Sequence, residues 1–371
     1  MSVDRFIASR MASIGASGIR RIFDLAATMT DPVDFSMGQP DFDVPGNIKL
    51  AAIHAIEEGR NGYTLTHGLP RLRERISERL RQEFGWDAPV LVTCGVSGGL
   101  MLALLACLNP GDEVWSGDPC FVSYKTLVFL AGGTPVAVSQ YDDFALHPER
   151  FAEAVTPRTK AIIVNSPGNP TGVVYPADAV QALCKLAAKH DLLLLSDEIY
   201  NVLSYDGPPT SPVSFAPDRT VLLRGFGKTY GMTGWRMGYA AGPASILQEM
   251  AKLQQYTFVC APQPAQWACI SALDTPVSHF VDAYRHKRDL TVDTLKDKFD
   301  FVRPSGGFYV FCKAPARYES ATAFVEAAIA RNVLTIPGCA FSERDTHFRI
   351  SYAVDDEKLR RGCEILNSLV D

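Results

Sequence analysis

Between Val90 and about Ala241, short apolar runs alternate with stretches of helical character. The runs are Val90-Leu91-Val92, Glu113-Val114-Trp115, Pro135-Val136-Ala137-Val138, Ala161-Ile162-Ile163-Val164, Leu192-Leu193-Leu194-Leu195 and Thr220-Val221-Leu222-Leu223. Each is nearly continuous in apolar character, the pattern of strands buried on both faces. Turn formers separate them, as at Asn109-Pro110-Gly111-Asp112 and Gly132-Gly133. The alternation predicts an α/β unit with a mainly parallel, doubly wound sheet under helices.

Upstream, Ile48 to Gly59 and Pro70 to Phe84 read as amphipathic packing helices; in the second, Leu72, Ile76, Leu80 and Phe84 recur along one face. After about Pro276 the pattern changes. A charged helical stretch from Val281 to Phe299 leads to strand-like pieces at Phe308-Tyr309-Val310-Phe311 and His347-Phe348-Arg349-Ile350-Ser351. This predicts a smaller α+β unit. The expected division is 45–275 for the large unit, with 1–44 and 276–371 forming the small one.

At 371 residues the chain is long enough for two packed domains or one large domain with an annex, and 47% hydrophobic and 21% charged residues are the composition of a globular protein. No apolar run nears the roughly 20 residues of a spanning helix, and a net charge of −5 gives no pull toward nucleic acid. The N-terminus lacks the apolar stretch of a secretory signal, so a cytoplasmic location is expected. Nine cysteines without a C-x-x-C pair and seven histidines without ligand spacing point to neither disulfides nor a metal. The expected partners are small molecules.

Ligands of open α/β sheets sit beyond the carboxyl ends of the strands. After the first run comes Gly95-Val96-Ser97-Gly98-Gly99, a turn into a helix whose free N–H groups suit a phosphate, with Ser97 equally readable as a helix cap. After the second comes Phe121, an aromatic face or simple packing. After the fourth comes Asn165-Ser166-Pro167-Gly168-Asn169-Pro170-Thr171-Gly172, dense in turn formers. After the fifth comes Asp197, a carboxylate expected to be buried and therefore to need a cationic partner. After the sixth comes Gly227-Lys228-Thr229. A phosphate-binding P-loop would require glycine where Leu222 stands, so Lys228 reads instead as a candidate amine nucleophile beside a compensating carboxylate or, on spacing alone, as a solvated surface lysine.

This set resembles the fold-type I pyridoxal-phosphate (PLP) enzymes, class I/II aminotransferases, over nearly the whole chain. The most specific pieces are Asn165-x-Pro167-x-Asn169-Pro170-Thr171-Gly172, Asp197-Glu198-Ile199-Tyr200 and the segment from Lys228 to Tyr239. Gly38-Gln39-Pro40-Asp41-Phe42, Gly306-Gly307-Phe308-Tyr309 and Phe348-Arg349-Ile350-Ser351 support it. The resemblance implies transamination between an α-amino acid and a 2-oxo acid such as 2-oxoglutarate or pyruvate, in ping-pong form. Lys228 would hold PLP as a Schiff base and move the substrate proton, and Asp197 would keep the pyridine nitrogen protonated. Tyr200 and Asn169 would contact the ring oxygen, and Phe121 would stack on the ring. Arg236, Ser97 and the backbone at Val96 and Gly98 would hold the phosphate. Arg349 would clamp the substrate carboxylate with help from Asn165 and the backbone of Gly38. Tyr63 would reach a neighbouring subunit's phosphate, implying a homodimer.

Two departures stand out: Gly225 and Gly227 replace serines usual in the family, which predicts a looser phosphate cup, and Gly98-Gly99 stand where the first pocket loop of the family carries bulkier polar residues. The same scaffold also serves carbon–sulfur β-lyases and ring-forming synthases. A binding protein that merely keeps PLP is disfavoured by the acidic charge and by the absence of a nucleic-acid-binding pattern. His67, Tyr63, Tyr256 and the segment Met11 to Ile19 are candidate linings of the substrate pocket.

Overall fold

The computed structural model describes residues 3–15 and 29–370. Its largest sheet has seven strands in the order β2-β8-β7-β6-β5-β3-β4. These are β2 (Val90–Cys94), β3 (Glu113–Asp118), β4 (Thr134–Ser139), β5 (Thr159–Asn165), β6 (Leu193–Asp197), β7 (Thr220–Gly225) and β8 (Met237–Ala241). All pairings are parallel except those of β8, which runs antiparallel to both β2 and β7. The six strands expected from apolar runs are all present. Leu194, Leu195, Val221 and Leu222 are fully buried, each side chain contributing about 1.5–3 kcal/mol by leaving water. The antiparallel strand β8 has no such signature: Met237-Gly238-Tyr239-Ala240-Ala241 lacks β-branched residues.

The helices also follow the pattern. Pro70–Phe84 starts with proline in its first turn, where the missing N–H costs nothing, and stops at Gly85 in the left-handed conformation (φ 66°). Helix Gly95–Cys107 begins three residues earlier than a Ser97 cap requires: Cys94 is its N-cap, and Ser97 lies inside the first turn.

A three-stranded sheet, β11-β12-β9, carries the C-terminal part. It consists of β9 (Tyr309–Lys313), β11 (Ile336–Pro337) and β12 (His347–Ser351), all antiparallel. A short parallel pair joins β1 (Val33–Asp34) to β10 (Val333–Leu334), so the chain's early segment packs with its last hundred residues. Phe35, Phe308, Phe324, Phe348 and Tyr352 share one core there. Tyr200 and Leu203, from just beyond β6, enter the same core. The two sheets thus meet at the carboxyl edge of the larger one.

Candidate active site

At that edge lies a cavity of about 370 Å³. Because β2, β3, β5, β6 and β7 run parallel, their carboxyl ends deliver Gly95 to Ser97, Phe121, Asn165 and Asn169, Asp197 and Lys228 to one rim. Strand β8 runs the other way, so its start brings Arg236 and Met237 to the same rim. Arg349 from β12 and Tyr309 from β9 close the cavity from the small sheet, and Met37, Gly38 and Gln39 line it from beyond β1. Val96, Ser97, Phe121, Asn165, Asn169, Asp197, Tyr200, Lys228, Arg236, Gly38 and Arg349 therefore line one cavity. Gly98 lies one residue beyond the lining. Tyr63 is 83% exposed and outside the cavity of its own chain. His67, Tyr256 and Met11 are likewise absent from the lining, and residues 16–19 of the remaining candidate segment lie outside the described residues.

Lys228 reaches into this space with its Nζ donating to the carbonyl of Gly38. Burial pulls its amine down to about 8, and the charges of Arg349 and Arg236 push the same way against the opposing pull of Asp197. Burial pushes the Asp197 carboxyl up to about 6, even though Tyr124 Oη donates to its Oδ2 at 2.7 Å and the Ile199 N–H donates to Oδ1 at 3.2 Å. Among the described residues Asp197 has no cation within ion-pair distance, so a buried carboxylate faces the cavity without a salt-bridge partner. Asn165 braces the same end of β6. Its Nδ2 donates to the Asp197 carbonyl at 2.9 Å, and its Oδ1 accepts from the Asn169 N–H at 3.0 Å, so both ends of its amide are engaged.

Arg349 is 2% exposed, a buried guanidinium with no carboxylate at ion-pair distance among the described residues. Its Nη1 donates to Asn169 Oδ1 at 3.0 Å and its Nη2 to the Ser36 carbonyl at 2.8 Å, while Nε has no partner. The rings of Tyr309 and Phe341 lie 4.4 and 4.8 Å from its Cζ. A cation held on neutral oxygens and ring faces, with a donor left over, is prepared for an anion from outside. Tyr200 and Tyr309 hydroxyls meet at 3.1 Å beside it.

The floor is built on close backbone approach. A Cβ on Gly238 would come within 2.7 Å of the Gly95 carbonyl carbon, and one on Gly95, itself at φ 75°, within 2.9 Å of Arg236 Nη2. Helix Gly95–Cys107 thereby points its N-terminal N–H groups at the cavity next to the Arg236 guanidinium, a combination suited to phosphate. Gly225 has a local cause too: a Cβ there would meet Ile199 Cδ1 at 2.8 Å and Val96 Cγ2 at 3.0 Å, so these side chains occupy the space a serine would need. At Gly227 the nearest atom is Thr233 Cα at 3.3 Å, a milder conflict.

A sequence model described as aminotransferase class I and II matches residues 30–366. The chain belongs to this family. A curated relative in Methanocaldococcus jannaschii, named probable aspartate aminotransferase, is 37% identical, over 98% of this chain and all of that one. One in Thermococcus litoralis, named aromatic-amino-acid aminotransferase 2, is 33% identical over 98% of each chain. The solved structure of aspartate aminotransferase from Thermus thermophilus with maleate superposes with a TM-score of 0.94 at 37% identity, covering 98% of this chain and 99% of that one. Amino-group transfer on pyridoxal phosphate is the chemistry of this class. The cavity fits that cofactor: a buried lysine, a buried carboxylate lacking a cation and an anion cradle occupy separate walls of one space.

Sequence reasoning misses Tyr124, whose position on helix Ser123–Leu130 gives only an aromatic in an apolar stretch. A buried tyrosine hydroxyl needs a partner, and that was its one available signal. Tyr309 and Met37 sit inside or beside recognised motifs without an assigned role. Among the described residues no group of His, Cys, Asp or Glu side chains is arranged to hold a metal, and no helix is long and apolar enough to cross a membrane.

Proposed function

We propose that this chain is a PLP-dependent aminotransferase whose reaction is carried by Lys228, Asp197, Tyr200 and Arg349. The observation behind this reading is the convergence in one cavity of a buried amine at about 8, a buried carboxylate without a cation, and a buried arginine with a free donor. Bound PLP supplies a ring that withdraws electrons from the amino-acid α-carbon. Asp197 would hold the ring nitrogen protonated, and Tyr124 keeps the Asp197 carboxylate pointed at the cavity. Lys228, neutral in a useful fraction at pH 7, would hold the cofactor and then carry the proton to and from the α-carbon. Arg349 would receive the substrate carboxylate in bidentate form, and Asn169, whose Oδ1 is taken by Arg349 and whose backbone N–H is taken by Asn165, would present its side-chain Nδ2–H to the ring oxygen with Tyr200. Phe121 would stack on the ring; Arg236, Ser97 and the amides of Val96 and Gly98 would hold the phosphate.

The reading extends to a cytoplasmic homodimer in which Tyr63 completes the neighbouring site. In its support, Tyr63 is exposed together with Leu50, Ile53, Ile56, Leu65 and Tyr256. It also divides the chain into a PLP-binding unit of 45–275 and a small unit of 1–44 with 276–371.

The test is the visible spectrum of the PLP-loaded protein with amino acids added singly and no oxo acid. Bleaching of the yellow band, reversed by a 2-oxo acid, is expected. Pyruvate and ammonia released catalytically from a cysteine conjugate, with no reversible bleaching, would assign it to β-elimination instead.

A further inference from the structure

We infer that Glu198 and Arg224 are positioning residues for this reaction: an ion pair buried behind the cavity that anchors the Asp197–Tyr200 turn to β7 and sets the electrostatic field at Asp197. The inference rests on the aminotransferase reading and adds two residues to it.

Neighbouring residues at a strand end face opposite ways. Asp197 and Tyr200 line the cavity, and Glu198 does not. It is nonetheless only 4% exposed, and Arg224 of β7 is 7% exposed. Both oxygens of the Glu198 carboxylate are engaged. Oε1 accepts from Ser196 Oγ at 2.8 Å and from Ser211 Oγ, and Oε2 accepts from Arg224 Nε at 2.9 Å and Nη2 at 2.8 Å. Arg224 is itself held from the far side, its Nη1 and Nη2 donating to Glu83 of helix Pro70–Phe84 at 2.6 and 2.8 Å. The Glu198 N–H donates to the Leu223 carbonyl at 2.9 Å. Backbone and side chain of one residue therefore tie the turn carrying Asp197 and Tyr200 to the strand that leads to Lys228. The groups proposed to meet the ring nitrogen, the ring oxygen and the cofactor's aldehyde carbon are held against one another by this tie.

The pair also carries charge next to Asp197. Asp197 is faced by Tyr124, Tyr200 and Lys228 from other elements and by Glu198 from its own strand end. Burial raises the proton affinity of its carboxyl most, and the negative charge of Glu198 adds to this. Arg224 is the counter-charge that limits the addition, with Tyr239 and the half-exposed Glu83 as the other titratable groups beside it. An Asp197 that kept its own proton could not hold one on the ring nitrogen.

The test begins with the cofactor-free full chain. Carbon-13 NMR of labelled aspartate carboxyls, with Asp197 identified by the resonance lost in Asp197→Asn, reads its titration directly. The midpoint is expected at about 6 in the parent and roughly half a pH unit lower in Glu198→Gln, which removes a like charge. A midpoint unmoved or raised in Glu198→Gln would overturn the inference. Single-turnover absorbance of the PLP-loaded variants then reads the reaction. Arg224→Gln leaves Glu198 buried without its cation, and the half reaction at saturating amino acid is expected to slow by about tenfold or more, with a smaller change in the half-saturating concentration. The double variant Glu198→Gln/Arg224→Gln removes both charges and is expected to recover most of that loss. A double variant no faster than Arg224→Gln would overturn the pairing. If Arg224→Gln does not fold, a folded double variant supports the pairing and the Glu198→Gln midpoint decides the rest. The expected midpoints in a protein that reacts with no donor would overturn the aminotransferase reading while leaving the field at Asp197 as described.

Discussion

Lys228 carries a pH signature of its own. Its amine lies at about 8 in the folded, cofactor-free chain against 10.5 for an ordinary lysine. Between these values the unfolded chain holds a proton that the folded chain does not, so stability rises with pH across this window. Below about 8 the cost of burying the charge is fully present, and above 10.5 it is gone. Relative to Lys228→Met, the cofactor-free parent should therefore gain stability to urea between these limits, a difference in which the buried cysteines and tyrosines that both proteins share cancel. The same shift should make PLP uptake climb with pH and level off above about 8 rather than near 10.5. Tyr124→Phe removes the 2.7 Å hydrogen bond to Asp197, one of the contacts that hold its carboxyl down against burial. Turnover should fall by roughly tenfold, the worth of one hydrogen bond to a charged group, with kcat affected more than KM because Asp197 acts on the ring. Equal kcat in Tyr124→Phe and the parent would contradict the positioning role. Arg349→Lys cannot reproduce a two-pronged contact, and its loss should appear mainly in kcat/KM for every donor alike, by on the order of a hundredfold.

The elements divide by how they are written in the sequence. Strands β2 to β7 are legible because both faces are covered, which forces continuous apolar runs such as Leu192 to Leu195. Strand β8 is hidden: Gly238 must pass against Gly95, so small residues replace the β-branched ones that would announce a strand. The two-residue pair β1 and β10 is too short to leave any period, although it ties the segment just before Ser36 and Met37 to Val333 and Leu334, next to the start of β11. Lys228, Asp197, Asn169 and Arg349 are legible because their chemistry recurs with fixed neighbours. Tyr124 is not, since it sits on a helix and its partner lies 73 positions away at the end of β6. The glycines before Lys228 also belong to this scale. Gly225 leaves room for Val96 and Ile199, so Gly225→Ser should destabilise the protein by about 1–3 kcal/mol through overpacking. Gly227→Ser faces only the 3.3 Å approach to Thr233 and should keep the parent's melting temperature within a few degrees. Equal destabilisation by both serines would show that the packing of Val96 and Ile199 is not what excludes a side chain at Gly225.

At the scale of the whole molecule, the active site is a seam. One wall is the carboxyl edge of the seven-stranded sheet, and the other is formed by Arg349 and Tyr309 of the small sheet with Met37 and Gly38 beside them. Asp41 is held by Lys287 at 3.0 Å and by Tyr284 Oη at 2.8 Å, which fixes the loop carrying Gly38 on its side of the seam. The exposed apolar residues around Tyr63 predict that the protein sediments at twice its 40.5 kDa chain mass. Mixing Lys228→Ala protein with Tyr63→Phe protein should restore part of the activity, because one mixed site then has both residues intact. Sedimentation as a single chain with full activity would remove Tyr63 from the site. The central claim, that Lys228 holds the cofactor of a transaminase, is tested most directly by borohydride reduction of the PLP-loaded protein followed by peptide mass analysis. The account predicts the added cofactor mass on the peptide bearing Lys228 and on no other. Label on a different lysine, or none on any peptide, would contradict it.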